Sequence, residues 1–327
     1  WSALEDAEGS VWIGTGGHGL YRLSEAKLAT FGPPEGLASD LSWSIAGAAD
    51  GSLWIGTDGG PIHYRDGRFE PVAARLGMQN FRIRSVLIDR QGVIWFGTFA
   101  RGLFRLENDR IQQFSREQGL SGDTVRALAE DSHGRLWIGS EGGVDLLVDG
   151  KIVKLPEQVR AQVSFATVQI YIDRTDTAWI GTDHGLFALN EDGIKHFTTA
   201  DGLPGPDITS IQPDGDKALW LGTGRGMARL HNGTVTSLVA GGSTLSECIL
   251  GIVDDGAGRL WITGNKGLFS IARDALVTFA NDPSSPPEIR KFGLADGLRS
   301  NEFDGANTGA AYRAEDGTLW LPSNRGI

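Results

Sequence analysis

The residues that could do acid–base or metal chemistry are few and scattered. Six histidines stand in the chain (His18, His63, His133, His184, His196 and His231), with a single cysteine, Cys248. Metal-dependent hydrolysis needs His, Asp and Glu converging on one point, and local spacings such as His-Glu-x-x-His announce such a site. That spacing does not occur, nor does Cys-x-x-Cys or a Gly-x-Ser-x-Gly elbow. The histidines fall at unrelated places, except that His18 and His184 occupy the same offset of a recurring turn. One cysteine permits no intrachain disulfide. No catalytic residue, metal or cofactor is therefore expected.

Two other sets are more regular. His18, Arg101, His184, Arg225, Lys266 and Arg325 each stand just before a glycine that closes a turn, and Gly59 and Gly142 take the same place in two further copies. A cation at one offset in an acidic protein could form a broken basic ring for an anionic ligand. The competing reading is a solvated turn, with connector acids such as Asp40, Asp123 and Asp207 pairing with the cations for little gain. The second set reads Trp1, Trp43, Arg84, Arg126, Val168, Thr209, Leu250 and Gly309, each eleven residues before a repeated Trp. Buried structural columns tend to be uniform, and this one is not. Aromatic plates stack on sugar faces and Arg forks hold carboxylates, so Trp43, Arg84 and Arg126 are candidate ligand contacts. Packing between neighbouring units is the alternative for this column.

These offsets have meaning only because the chain repeats. "GSLWIGTDGG", "GRLWIGSEGG" and "ALWLGTGRG" are versions of one phrase, whose Trp falls at Trp12, Trp54, Trp95, Trp137, Trp179, Trp220, Trp261 and Trp320. The spacings are 42, 41, 42, 42, 41, 41 and 59, so seven copies keep step and the eighth follows an insertion. Asp recurs six residues before the Trp in six copies, where an Asp-x-x-Gly context gives it a turn-capping role. Gly recurs two residues after the Trp in six copies, which suits close approach of neighbouring sheets.

One unit, 124–166, reads as "TVRALAED", "RLWIGS", "VDLLVDG" and "KIVKLP" separated by Gly-rich turns. Four short strands in about 42 residues is a propeller blade, and so dense a distribution of glycine forbids the helices of a solenoid. The fold expected is an all-β propeller of four-stranded antiparallel blades in eight repeat units, forming one domain over 1–327 with the last unit clipped. The alternative is a seven-bladed ring plus one unit of an adjacent propeller. The Trp residues would be wedges between successive sheets, each able to bury about 150–250 Å².

Bulk properties narrow the function. Hydrophobic residues are 40% and charged residues 22%, enough for a packed core. The net charge of −11 excludes wrapping a nucleic-acid backbone. No apolar run approaches the roughly 20 residues that span a bilayer. No signal peptide is visible, and both ends fall inside a repeat, so the chain is expected to be part of something longer.

"AEDSHGRLWIGSEGGV", "IDRQGVIWFGTFARGLFRL" and the "DGL" connectors resemble the two-component regulator propeller repeats, and the likeness runs over essentially the whole chain. The segment "GLADGLRSNEFDGANTGAAYRAEDGTLWLPSNRGI" looks like the final blade of such sensor regions. The resemblance implies a propeller outside the cytoplasmic membrane, in the periplasm, that senses ligands and is joined through segments absent here to a membrane helix and a histidine kinase or diguanylate cyclase. In well-known branches the ligands are glycan fragments. The expected function is extracytoplasmic sensing of a glycan or anionic small molecule, with homodimerisation through the full-length sensor. A protein-interaction or dimerisation scaffold is the second hypothesis, and a propeller lyase or hydrolase the third.

Overall fold

The computed structural model describes residues 28–215, 217–239 and 244–327, together with the backbone of the strands Ser2–Glu5, Val11–Thr15 and Gly19–Leu23. Those three strands pair with one another in sequence order. Six four-stranded antiparallel sheets follow, each with its strands in consecutive order. Blade 1 is Ser42–Gly47, Leu53–Thr57, Gly60–Arg65 and Arg68–Pro71. Blade 2 is Ile83–Ile88, Ile94–Thr98, Leu103–Glu107 and Arg110–Phe114; blade 3 is Val125–Glu130, Leu136–Ser140, Gly143–Val148 and Lys151–Lys154. Blade 4 is Thr167–Ile172, Ala178–Thr182, Gly185–Asn190 and Gly193–Phe197; blade 5 is Ile208–Pro213, Ala218–Thr223, Gly226–His231 and Thr234–Ser237. Blade 6 is Ile249–Asp254, Arg259–Gly264, Gly267–Ala272 and Ile289–Phe292, with the helix Arg273–Asn281 inserted before its last strand. A two-stranded sheet, Tyr312–Arg313 with Leu319–Trp320, comes last.

The fold is thus an all-β propeller of four-stranded antiparallel blades, with six complete blades among the described residues rather than the eight or seven expected from the repeat count. The miscount has a physical cause. A Trp-bearing phrase specifies a strand and a turn, whereas a complete blade needs three hairpins. The unit around Trp12 gives a three-stranded sheet, and the unit around Trp320 pairs only two residues with two. Among the described residues, no helix is long and apolar enough to cross a membrane.

The blades form a circle because each buries its face against the next. Seven hydrophobic clusters appear among the described residues, six of them drawn from two successive sheets. Trp54 of blade 1 lies 5.7 Å from Phe96 of blade 2, and Trp137 of blade 3 packs with Ile170, Ile180 and Phe187 of blade 4. Trp220 is fully buried among residues of blade 6. Burying one such side chain contributes on the order of 4–6 kcal/mol of gross transfer free energy. One cluster joins blade 6 to Phe303 and to Leu321, next to the two-stranded sheet, and another joins that sheet to blade 1. Phe31 and Ile327 exchange backbone hydrogen bonds of 2.9 Å, closing the circle from both parts of the chain.

The glycine after each Trp acts as the sequence predicts. A Cβ on Gly97 would lie 2.7 Å from the Val125 carbonyl of blade 3, so only glycine lets the next first strand come in. The Asp column does more than cap a turn. Asp131 Oδ1 accepts from the backbone of His133 and Arg135, while Oδ2 accepts the Trp137 indole N–H at 2.9 Å. Asp89, Asp173 and Asp255 hold Trp95, Trp179 and Trp261 in the same way. The spacing of six residues is the span of a hairpin whose turn and core plate share one carboxylate.

Candidate functional site

Every blade places its first strand innermost, and every first strand begins with a β-bulge. The register slips between Ser42 and Ser44, Ile83 and Ser85, Val125 and Ala127, Thr167 and Gln169, Ile208 and Ser210, and Ile249 and Gly251. The residues left over are Trp43, Arg84, Arg126, Val168, Thr209 and Leu250, the variable column of the sequence. A bulge leaves one residue outside the ladder and re-aims its side chain, which releases that position from the alternation constraining its neighbours. Val168 and Thr209 are buried, whereas Trp43, Arg84, Arg126 and Leu250 are half-buried. The eighth member, Gly309, lies in no strand, and Trp1 lies outside the described residues.

Between blade 6 and the two-stranded sheet the chain turns inward and crosses the channel. Ala306 N donates to Leu250 O of blade 6, and Thr308 N donates to Arg126 O of blade 3. Ile45 N of blade 1 donates to Gly309 O, Leu128 N donates to Thr308 Oγ1, and Gln169 Nε2 of blade 4 donates to Asn307 O at 2.7 Å. Residues 306–309 are therefore held by first strands of four blades and plug the axis. Whatever reaches the bulged residues must arrive at the mouth.

At that mouth, blades 1 and 2 build a compact aromatic and charged cluster. The Arg84 guanidinium lies 3.5 Å from the Trp43 ring centre and 5.5 Å from that of Phe99. Trp43 Nε1 donates to Asp58 Oδ1 at 2.7 Å, and Arg82 Nε lies 3.5 Å from Asp58 Oδ2. Arg82 also approaches Phe99 at 5.6 Å, and the Phe99 ring is 41% exposed, an open apolar plate. Burial pushes the Arg84 guanidinium below its usual range; Asp58 opposes that, and Arg126 and Arg82 reinforce it. Asp304, on the approach to the plug, is pushed up to about 6, chiefly by burial, with Arg84 opposing and Asp58 and Glu302 adding to the rise. Arg84 Nε and Asp304 Oδ2 are buried with no hydrogen-bond partner in the protein.

The turn cations are placed as the repeat implies, one per sheet on the turn after the second strand. Arg101, His184, Arg225, Lys266 and Arg325 are exposed, and His18 lies outside the described residues. Arg101 stacks 4.4 Å over Phe81, and His184 stacks on Phe165 and bonds Asp183. Of the anticipated connector pairs, Arg325 meets Asp40 at 4.0 Å. Asp123 instead pairs with Arg116, and Asp207 accepts from Gly224 N. The two glycines that break the ring are steric. A Cβ on Gly59 would lie 2.7 Å from Ala38 O, and one on Gly142 would lie 2.2 Å from Ser121 O.

The sequence singles out Trp43, Arg84 and Arg126, and not Asp58, Phe99 and Asp304, which the structure sets beside them. Asp58 and Phe99 sit in turns after a repeated Trp, where nothing but their variation marks them. Asp304 comes from a segment outside the repeat's own strands, so no column could flag it. Among the described residues, no group of His, Cys, Asp and Glu is arranged to hold a metal ion.

A family model, "Two component regulator propeller", matches residues 77–100, 119–142 and 202–225. Each stretch runs from a connector through a bulged residue (Arg84, Arg126 or Thr209) to the turn after its Trp. Those three stretches carry the two-component regulator propeller repeat. No curated protein sequence matches it significantly. Among solved structures, the chain is similar to the extracellular domain of a protein named as a hybrid two component system from B. thetaiotaomicron. The identity is 21% and the TM-score 0.78, over 99% of this chain and 44% of that one. It is also similar to the extracellular domain of a protein named as a one component system from the same organism, at 17% identity and TM-score 0.65, over 99% and 50% of the two chains. A streptogramin B lyase matches at 16% identity and TM-score 0.67, over 93% and 98%. The chain spans half or less of the two extracellular domains, and at these identities the likeness is one of fold.

Proposed function

We propose that this propeller is the extracytoplasmic, ligand-sensing part of a bacterial two-component or related signalling protein, recognising a glycan or anionic small molecule at the channel mouth. The repeats and the extracellular domains of similar fold support the signalling context. The observation that carries ligand recognition is the bulged column: six inner strands share one device, and at four of them the side chain it sets apart is part-exposed (Trp43, Arg84, Arg126 and Leu250), while Val168 and Thr209 are buried. A column kept only for packing has no reason to alternate Trp, Arg, Val and Thr. The cluster of Trp43, Arg84, Phe99 and Arg126 supplies plates for an apolar face and forks for an anion. The reading assigns no catalytic step to this chain.

A thermal-shift screen against acidic and neutral oligosaccharides tests it, because a ligand that binds only the folded state stabilises by about 2.7 kcal/mol at a hundredfold excess over Kd. A stabilising compound is expected, and Arg84→Gln or Arg126→Gln is expected to lower its affinity at least tenfold. Failure of every compound to shift the midpoint, or shifts untouched by both variants, sinks recognition of a glycan or anion at the mouth. In the same assay Arg101→Glu with Arg225→Glu separates mouth from ring, since unchanged binding confines recognition to the bulged residues.

A further inference from the structure

The mouth contains both signs of charge, each in an unfinished state. Arg84 Nε offers an N–H donor and Asp304 Oδ2 offers an acceptor, and neither has a protein partner. An orphaned buried polar group costs about 1–3 kcal/mol, more when charged, so two in one cluster are not bystanders. They come from different parts of the fold, blade 2 and the approach to the plug, and meet around Trp43: Phe303 bridges Ser323, whose carbonyl accepts from Ser42 N beside Trp43, and Arg84 lies on the Trp43 ring. Asp304 is also held rigidly. Its backbone N–H donates to Pro322 O, Phe303 bridges Ser323, and two residues on Ala306 N is tied to blade 6. Arg84 is braced by the Trp43 ring, which Asp58 fixes through the indole. Both poles are therefore pre-positioned, which cuts the ordering cost of binding.

We propose that Arg84 and Asp304 are the two poles of a site for a small zwitterion, a ligand carboxylate being taken by Arg84 and a ligand ammonium by Asp304. This rests only on the mouth being the ligand site; in place of a glycan or anion it assigns free amino acids or short peptides, with Phe99 as the open plate for an apolar side chain. A purely anionic ligand satisfies Arg84 and leaves Asp304 buried, unpaired and facing a second anion beside Asp58 and Glu302. A neutral polyol reaches both atoms but compensates neither charge. An ammonium would give Asp304 Oδ2 the hydrogen-bond partner that the protein does not, and it would draw that carboxyl back toward its ordinary range.

The experiment is isothermal titration of the chain at pH 7.5 with a panel of L-amino acids, with 3-phenylpropionate and phenethylamine as single-charge probes and glucuronate as an anionic sugar. Binding by one or more amino acids is expected, with both single-charge probes at least tenfold weaker. Asp304→Asn, near-isosteric and relieving a buried charge, should keep the fold by circular dichroism and weaken the amino acid at least tenfold; Arg84→Gln should do the same. Amino-acid affinity unmoved by Asp304→Asn overturns the proposal. So does glucuronate or 3-phenylpropionate binding as tightly as any amino acid; dependence of that binding on Arg84 alone would leave the mouth standing as a ligand site. Absence of binding by every probe overturns the zwitterion, and the oligosaccharide screen then decides the mouth separately.

Discussion

At the scale of single residues, one carboxylate governs four of the six blades, and blade 5, where that carboxylate is diverted, shows what it does. Asp131 gathers two backbone donors, Arg135 Nε at 2.6 Å and the Trp137 indole, while being almost wholly buried. In blade 5 the equivalent Asp214 is captured by Arg229 Nη2 at 2.7 Å and by Arg273 Nη2 at 2.5 Å. The Trp220 indole N–H is left buried without a partner. The two tryptophans are thus matched in role and opposite in hydrogen bonding. Trp137→Phe loses ring volume and a charge-assisted hydrogen bond, and should cost about 3 kcal/mol. Trp220→Phe loses the volume but also removes an orphan donor, and should cost about 1 kcal/mol. Urea unfolding of the two variants checks this, and a Trp220→Phe cost equal to or above that of Trp137→Phe refutes the account of the column.

At the scale of elements, connectors and turns decide which positions have room to vary. The "Gly-Leu" connectors begin with a 3-10 turn. Ser115 Oγ caps Arg116–Gln118, Gly119 takes φ 107° to end it, and Leu120 drops into the interface between blades 2 and 3. The same arrangement at Thr199–Asp201 ends on Gly202, with Leu203 buried behind it. After the connector, the chain either clears the neighbouring turn or presses on it. At Gly142 it presses, since Ser121 O leaves no space for a side chain; at Arg225 it clears, and the side chain is exposed. Restoring a side chain with Gly142→Ala should therefore cost about 2 kcal/mol or more through backbone displacement. Arg225→Gly should change stability by less than about 0.5 kcal/mol, as surface substitutions do. Thermal denaturation of the pair decides between a steric and a functional origin of the breaks in the basic ring, and equal effects favour the latter.

At the scale of the whole molecule, what could be read from the sequence was whatever repeats. The Trp phrase, the Asp-x-x-Gly turn and the glycine after Trp recur because seven interfaces impose the same packing demand, and they gave the blade, its strands and the bulged column. What could not be read is what happens once. Closure by Phe31 on Ile327, the crossing of the channel by 306–309 and the delivery of Asp304 to Arg84 depend on segments with no second copy for comparison. Closure also makes its own demand, because a ring held at one seam should transmit loss at that seam. Phe31 packs 5.4 Å from Phe69 of blade 1 and 6.0 Å from Trp320, a residue almost three hundred positions away in sequence. Tyr64 of blade 1 also approaches Trp320 at 5.2 Å, so the seam is an aromatic knot spanning the two-stranded sheet and blade 1. Aromatic pairs of this kind couple by about 0.5–1.5 kcal/mol beyond the area they bury. A double-mutant cycle with Phe31→Ala and Trp320→Ala should then show a coupling of about 1 kcal/mol in urea unfolding, since residues in contact do not add. Each single variant should also keep one cooperative transition, because the remaining interfaces still bind every blade on two sides. Strict additivity of the two substitutions would mean that the seam is open in solution and that the blades form an arc.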